Sequence, residues 1–247
     1  MIKLENYEVT GWEHAIRGMR NPMNSWEKSD SGWDACVPPL ELRRSVDWEE
    51  YAEKYMTVYY CGDYSYDIGP NDQYLMMRLA KNGPVHAKYR RMITVYVDIT
   101  APLYWWKEFD TYKVGTVANS CSTMHKIAEK EFTIDDFSCE HLFDRYGDSS
   151  MNLNYAGKYP KAVLNDLIDI LNNFRYWYNE TKDKKYWWQM IQLLPSSYNQ
   201  KRTVMLNYEV LANIYKSRKN HKLDEWIEFC KWIESLPYSE LITGGNE

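Results

Sequence analysis

Between Met92 and Thr100 the chain alternates strictly. Ile93, Val95, Val97 and Ile99 fall on one side of an extended backbone, and Thr94, Tyr96, Asp98 and Thr100 on the other. Successive strand side chains point to opposite faces, so this pattern predicts a strand over residues 92–100 with one face buried. Elsewhere the period is helical. Leu164, Leu167, Ile168, Leu171 and Phe174 form one stripe behind Pro160 and predict an amphipathic helix. A second helix is expected over 184–194, stopped by Pro195. Leu75, Met76 and Leu79 predict a helix capped by Asn71 or Asp72 and ended by Asn82-Gly83-Pro84. Pro102 suits the first turn of a helix running through Trp105, Trp106 and Phe109. Residues 201–206 are β-branched enough for another strand, and Asn207 is an N-cap for a helix ending near Ser217. A last helix over 222–236 turns Leu223, Trp226, Ile227, Cys230 and Ile233 inward, and Pro237 stops it.

The remaining stretches carry weaker patterns. Residues 11–20 predict a short helix. Periodicity is lost over 21–45, where Pro22, Gly32, Pro38 and Pro39 mark an irregular segment. Residues 47–56 read as helical and 61–69 as a loop. Residues 131–160, rich in Asp, Ser, Asn and Gly, form a connection of the length that functional or mobile loops have. Strands and helices follow one another in mixed order, so the fold class is α+β. Residues 70–247 read as the core, and 1–69 as an irregular or helical extension packed on it.

Composition narrows the functions. The chain has 22 Tyr and 11 Trp but only 6 Phe, which favours half-wet surfaces such as subunit interfaces and pockets for flat rings. A net charge of -5 argues against a general nucleic-acid binder, while leaving small anions accessible to local cations. Five cysteines without a CxxC pair fit reduced thiols in the cytoplasm better than a disulfide framework or a zinc site. Residues 1–10 lack an apolar signal core, and no 18-residue apolar run predicts a membrane span. Walker, GxGxxG, GxSxG and HExxH motifs are absent. Cys139-Glu140-His141 is read as a solvated loop rather than a metal site, and Lys88, Arg90 and Arg91 as the solvated start of the strand.

The informative order begins at Ala101-Pro102, which closes the alternating strand. A helix, Thr111-Tyr112-Lys113, and the run Asn119-Ser120-Cys121-Ser122-Thr123-Met124-His125 follow. Upstream stands His86; downstream come Asn207, Asn213, Arg218, His221 and Trp226. This order resembles the flavin-dependent thymidylate synthases. In that family the strand ends in Ala-Pro, the helix carries an Arg-His-Arg triplet, and an Asn-Glu-x-Ser-x-Arg-Tyr-like run follows. An Asn-rich helix then ends in Leu-Arg, with a His before a Trp. The departures lie on ligand-contacting positions. Thr111-Tyr112-Lys113 replaces the triplet, Ser120 the Glu, and Met124 the Arg of the second run. Arg forks bind phosphate and carbonyl oxygens at two points, as Lys and Tyr do not.

The resemblance implies an antiparallel or mixed sheet flanked by helices and a homotetramer. The implied reaction is reductive one-carbon transfer to C5 of dUMP or a related pyrimidine nucleotide. FAD would be the cofactor, with NADPH and methylenetetrahydrofolate as co-substrates. Glu108, Asn119, Ser120, Ser122 and Arg218 would meet the nucleotide. His86, Tyr112, Lys113, Asn207, Asn213 and His221 would meet FAD, and Arg20 aligns with another family Arg. No cysteine nucleophile is implied, so Cys121 takes no such role. Two other readings stay open: an inactive homologue acting as a nucleotide-binding or protein-interaction module, and an unrelated helical interaction protein.

Overall fold

The computed structural model describes residues 1–33, 66–144 and 159–244. At its centre lies a four-stranded sheet in the order β1 (Lys3–Thr10), β4 (Thr94–Pro102), β6 (Asn199–Asn207), β5 (Val117–Ser120), with every neighbour antiparallel. The alternating segment becomes a central strand for a direct reason. Ile93, Val95, Val97, Ile99 and Ala101 are almost wholly buried on one face, and β6 adds Val204 and Leu206 to the same layer. β4 and β6 pair along their full length, from Thr94↔Asn207 to Pro102↔Asn199. On the other face Asp98 ties three strands together. It accepts from Asn6 Nδ2 of β1 (3.1 Å) and Thr203 Oγ1 of β6 (2.6 Å), and pairs with Lys201 Nζ (3.1 Å). The hydrogen bonds of Thr203, Asn6 and Lys201 hold its pKa down at about 2.

The sequence reading puts no strand before residue 92, yet Lys3–Thr10 forms one edge of this sheet. Its side chains are mostly exposed, so no apolar alternation advertises it, and a bulge between Glu5 and Glu8 interrupts the register. β5 at the other edge is exposed along its length and equally silent. β2 (Gly32–Trp33) and β3 (Tyr66–Asp67) pair antiparallel, β2 in the stretch read as irregular and β3 in the stretch read as a loop.

Helices cover the apolar face. α1 (Trp12–Arg20) and α2 (Pro70–Lys81) pack into the main core, followed in the chain by α3 (Leu103–Phe109). The expected cap of α2 is corrected. Gly69 is the N-cap and Pro70 fills the first turn, while Asp72 sits inside the helix, wholly buried. There its carboxylate accepts from Arg20 Nε (2.6 Å) and from the hydroxyls of Ser29 (2.6 Å) and Ser31 (2.7 Å). Arg20 also donates to the carbonyls of Ser25 and Lys28, so it is buried and structural. Pro102 ends β4 and is the N-cap of α3 rather than lying inside its first turn. Trp105 stacks on Phe109 at 5.0 Å and lies 4.7 Å from Trp226, forming an aromatic centre under the sheet. Lys88–Arg91 form a 3-10 turn ahead of β4, and Arg90 is buried 3.6 Å from Glu209, so it is no solvated edge.

A second core lies apart. α4 (Thr123–Lys126) is followed by α5 (Pro160–Thr181) and α6 (Lys184–Leu193), and Leu164, Ile168, Leu171 and Met190 bury against Ile127, Phe132 and Phe137. The left-handed Lys182 (φ 55°) ends α5, and the Asp183 side chain caps α6. In the expected long connection, a 3-10 turn with a Thr133/Asp136 capping box is seen at Ile134–Asp136. The expected helix at 47–56 lies outside the described residues. α7 (Tyr208–Arg218), α8 (Asp224–Glu234) and the short α9 (Glu240–Thr243) complete the described chain. Among the described residues no helix is long and apolar enough to cross a membrane.

Candidate functional site

The site grows from the C-terminal ends of α3 and α7. β6 runs directly into α7, and Asn207 makes the switch as the sequence predicts: its side-chain oxygen accepts from Val210 N (3.1 Å). Ile214, Leu211 and Val210 are buried under the sheet, which fixes the rotation of the helix. Arg218 then emerges from its last turn. With about 1.5 Å of rise per residue, Asn207 and Arg218 stand about 16 Å apart along the axis. Asn213 is exposed and about 140° around the helix from Arg218, so the three residues do not converge.

Arg218 meets four side chains. Its Nη1 donates to Glu108 Oε2 (2.6 Å) and its Nε to the Tyr112 hydroxyl (2.9 Å). The guanidinium lies over the Trp226 ring at 4.7 Å, and Trp226 Nε1 donates to Glu108 Oε2 (2.9 Å). His221 completes the group. Its Nδ1 accepts from Leu223 N (3.2 Å), so in the neutral ring the proton sits on Nε2, 3.4 Å from Glu108 Oε2. The 3.0 Å approach of Arg218 Nη1 to that Nε2 is then a crowded donor–donor contact rather than a hydrogen bond. Glu108 Oε1 and Arg218 Nη2 carry no hydrogen bond among the described residues, and the side chains are only partly buried. The pair thus keeps donor and acceptor capacity beyond the bonds that orient it.

Tyr112 belongs also to a cleft of about 270 Å³, lined by Phe109, Asp110, Tyr112, Lys113, Thr116 and Ala118. Arg202 fixes one wall: it holds Asp110 at 2.7 Å and covers the Trp106 ring at 4.1 Å. Among the described residues the buried Thr116 hydroxyl has no hydrogen-bond partner. The turn that returns the chain to β5 needs Gly115, whose φ of +82° suits glycine; a Cβ there would meet Asn207 Nδ2 at 2.9 Å. So the loop that carries Tyr112 and Lys113 packs against Asn207 through Gly115.

Other predicted residues lie elsewhere. Asn119 and Ser120 are exposed on β5, opposite Thr203 and Arg202. Ser122 caps α4, its hydroxyl accepting from His125 N (3.2 Å), and no hydrogen bond among the described residues ties it to the Arg218 group. His86 is exposed in the turn after α2. His141 pairs with Asp224 at 2.9 Å, and Glu140 meets the N-terminal amine, so both carboxylate and imidazole have organic partners. Thr116, Asp110 and Arg202 were not foreseen. Arg202 directly opposite Ser120 on β5 was their one sequence signal, and it is visible only once the strands are paired.

No protein-family model matches the chain, and no curated protein sequence matches it. Solved structures do. The crystal structure of flavin-dependent thymidylate synthase from Helicobacter pylori, complexed with FAD and dUMP, superposes with a TM-score of 0.56 at 16% identity. The match covers 98% of this chain and 97% of that one. The UMP/dUMP methylase PolB from Streptomyces cacaoi, bound with 5-bromo-dUMP, superposes with a TM-score of 0.52 at 12% identity, over 95% of this chain and 89% of that one. The chain has the fold of the flavin-dependent thymidylate synthases.

Proposed function

We propose that this protein binds a pyrimidine nucleotide at the Arg218 group, with FAD in the adjoining cleft, and carries out reductive one-carbon transfer to C5 of dUMP or a related nucleotide. One observation carries the reading: at the partly buried Arg218–Glu108 ion pair, Arg218 Nη2 and Glu108 Oε1 carry no hydrogen bond among the described residues. A pyrimidine edge offers a carbonyl acceptor beside an N–H donor, which is the complement of that pair. Tyr112, Glu108 and Trp226 hold the guanidinium in place, so little side-chain freedom is lost when the base docks. Lys113 at the cleft provides a cation for a phosphate. The cleft suits a flat ring, with the Phe109 and Tyr112 rings as walls and the orphaned Thr116 hydroxyl as a hydrogen-bonding point. When bound and reduced, FAD supplies the hydride, methylenetetrahydrofolate the carbon, and NADPH the electrons. A homo-oligomer is part of the proposal. Val163, Ile170 and Trp177 form an exposed apolar row at seven-residue spacing along α5, a face suited to a second copy.

The second reading, a nucleotide-binding module without turnover, is favoured by the charge state of the site. Glu108 neutralises Arg218, and the Arg-His-Arg cations are replaced by Thr111, Tyr112 and Lys113. Purified protein distinguishes the two. The enzyme reading expects flavin absorbance at about 450 nm, thermal stabilisation by FAD and by dUMP, and rescue of thymidine-requiring cells. Stabilisation by dUMP without flavin or rescue would establish the binding module. If neither ligand raises the melting temperature, both readings fail.

A further inference from the structure

At the β1 flank of the sheet lies a larger cavity of about 440 Å³. Among the described residues it is lined by the end of β1, the start of α1, the paired strands β2 and β3 and the Pro237-Tyr238 turn. Its walls are aromatic. Trp33 meets Tyr66 edge-on at 5.2 Å, and Trp12 meets Tyr238 at 5.2 Å, giving two angled ring pairs. The folding of the chain holds these rings firmly. Gly11, at φ +92°, lets the chain turn from β1 into α1 hard against the Met92 carbonyl, which seats Trp12 in the core. The Tyr238 hydroxyl accepts from Ile68 N at 3.2 Å.

The charge of the cavity is one-sided. Glu8, Glu13 and Asp67 line it, and none has a cationic partner among the described residues; Glu13 accepts only the Trp33 indole N–H, at 3.3 Å. Among the described residues His14 is the one basic side chain in the lining. Its Nδ1 faces Arg17 Nη2 at 3.1 Å. Arg17 itself does not line the cavity. Tyr66 feels the same field: burial first, and then the charges of Asp72 and Glu13, raise its phenol pKa above the ordinary value. Unpaired carboxylates at an apolar, ring-walled hollow are an environment that attracts positive charge and offers it π faces.

We propose that this cavity binds a small organic cation, a quaternary or alkyl ammonium, with the head group between the Trp33–Tyr66 and Trp12–Tyr238 pairs and its charge met by Glu13 and Asp67. The size is that of an ordinary small-molecule site. The site stands independently of the nucleotide reading, since it shares no residue with the Arg218 group.

Choline and its uncharged isostere 3,3-dimethylbutan-1-ol are the probes, titrated calorimetrically into the full chain. Saturable one-to-one binding of choline, about tenfold tighter than the isostere, is expected from ring quadrupoles and charge together. Glu13→Gln keeps the indole hydrogen bond and shape but removes charge, and should weaken choline several-fold without affecting the isostere. Trp33→Leu should weaken both; because Trp33 is 57% exposed, its loss leaves the core intact. Asp67→Asn repeats the charge test on an exposed side chain should Glu13→Gln melt early. None of these variants should change dUMP binding. The proposal is overturned if choline gives no heat at millimolar concentration, if the isostere binds as well, or if folded Glu13→Gln and Asp67→Asn both bind choline unchanged.

Discussion

Arg218 and Glu108 form a 2.6 Å ion pair across 110 residues of chain, and the Trp226 ring stands beneath the guanidinium while its N–H holds the carboxylate. The pair is partly exposed, so solvent screens its attraction, and its direct contribution to stability is about 1 kcal/mol or less. A double-mutant cycle over Glu108→Gln and Arg218→Lys, followed by urea unfolding, should give a coupling energy in that range. Ligand binding should respond far more. Lys cannot hold Tyr112 and Glu108 while presenting a planar donor edge, so Arg218→Lys should lower dUMP affinity by at least about tenfold with little change in stability. Unchanged calorimetric affinity would remove Arg218 from the nucleotide site.

Thr116→Val tests the cleft from the opposite direction. The buried Thr116 hydroxyl lacks a partner, and leaving a buried donor unpaired costs about 1–3 kcal/mol. Replacing it with a methyl of similar shape should therefore raise the unfolding free energy by about 1 kcal/mol. If the hydroxyl serves the flavin ring, the same variant loses the thermal shift produced by FAD. Stabilisation together with lost FAD response marks a residue kept for a ligand, and stabilisation with an unchanged response marks a packing defect.

Much of the scaffold was legible because local patterns carried it. The 93–99 alternation, the Pro160 stripe and the Asn207 cap all became elements where expected, since burial on one face and an N-cap are imposed within a few residues. The two edge strands were silent because an exposed edge places no demand on side-chain polarity; Val117–Ser120 is exposed throughout and is held by backbone pairing to β6. In the site, sequence order brought Tyr112, Arg218, His221 and Trp226 to notice and the resemblance implied Glu108; the structure puts these side chains in one group, though the resemblance divides them between nucleotide and FAD. Sequence order did not reveal that Glu108 and Arg218 neutralise each other, or that Asn213 turns away. Pair contacts across a hundred residues are set by how helices stack on the sheet, and no local period encodes that.

Asp72 gives the pH dependence. Burial alone would raise its carboxyl pKa, but hydrogen bonds from Ser29, Ser31 and Arg20, with the Arg20 charge, outweigh burial and hold it below the ordinary aspartate range. A carboxylate with a lowered folded pKa adds stability that is complete above its unfolded pKa and drains away as pH falls through the folded one. Urea midpoints should therefore hold steady down to about pH 5 and fall below about pH 4, and Asp72→Asn should flatten that fall. At neutral pH Asp72→Asn leaves the Arg20 charge buried without its counter-ion, which costs about 3–5 kcal/mol. A wild-type-like midpoint at pH 7 would show that the Ser25 and Lys28 carbonyls suffice to hold Arg20.

Gly115 and Asn207 separate the shape of the site from the stability of its helix. Asn207→Ala removes the cap on Val210 N and should cost about 1 kcal/mol, without moving the 111–116 loop. Gly115→Ala acts on the loop itself. At φ +82° an alanine is strained by about 1 kcal/mol, and its Cβ presses on Asn207 Nδ2 at 2.9 Å. The double variant removes the clash but not the strain, so it should be more stable than the two separate costs predict. Ligand affinity should follow the loop rather than the cap. FAD binding should fall in Gly115→Ala, where Tyr112, Lys113 and Thr116 are displaced together, and should partly return in Gly115→Ala/Asn207→Ala as the loop settles back. A double variant whose unfolding free energy is the plain sum of its parents would mean that Asn207 and the loop do not press on one another, and the cleft would then owe its shape to Asp110 and Arg202 alone.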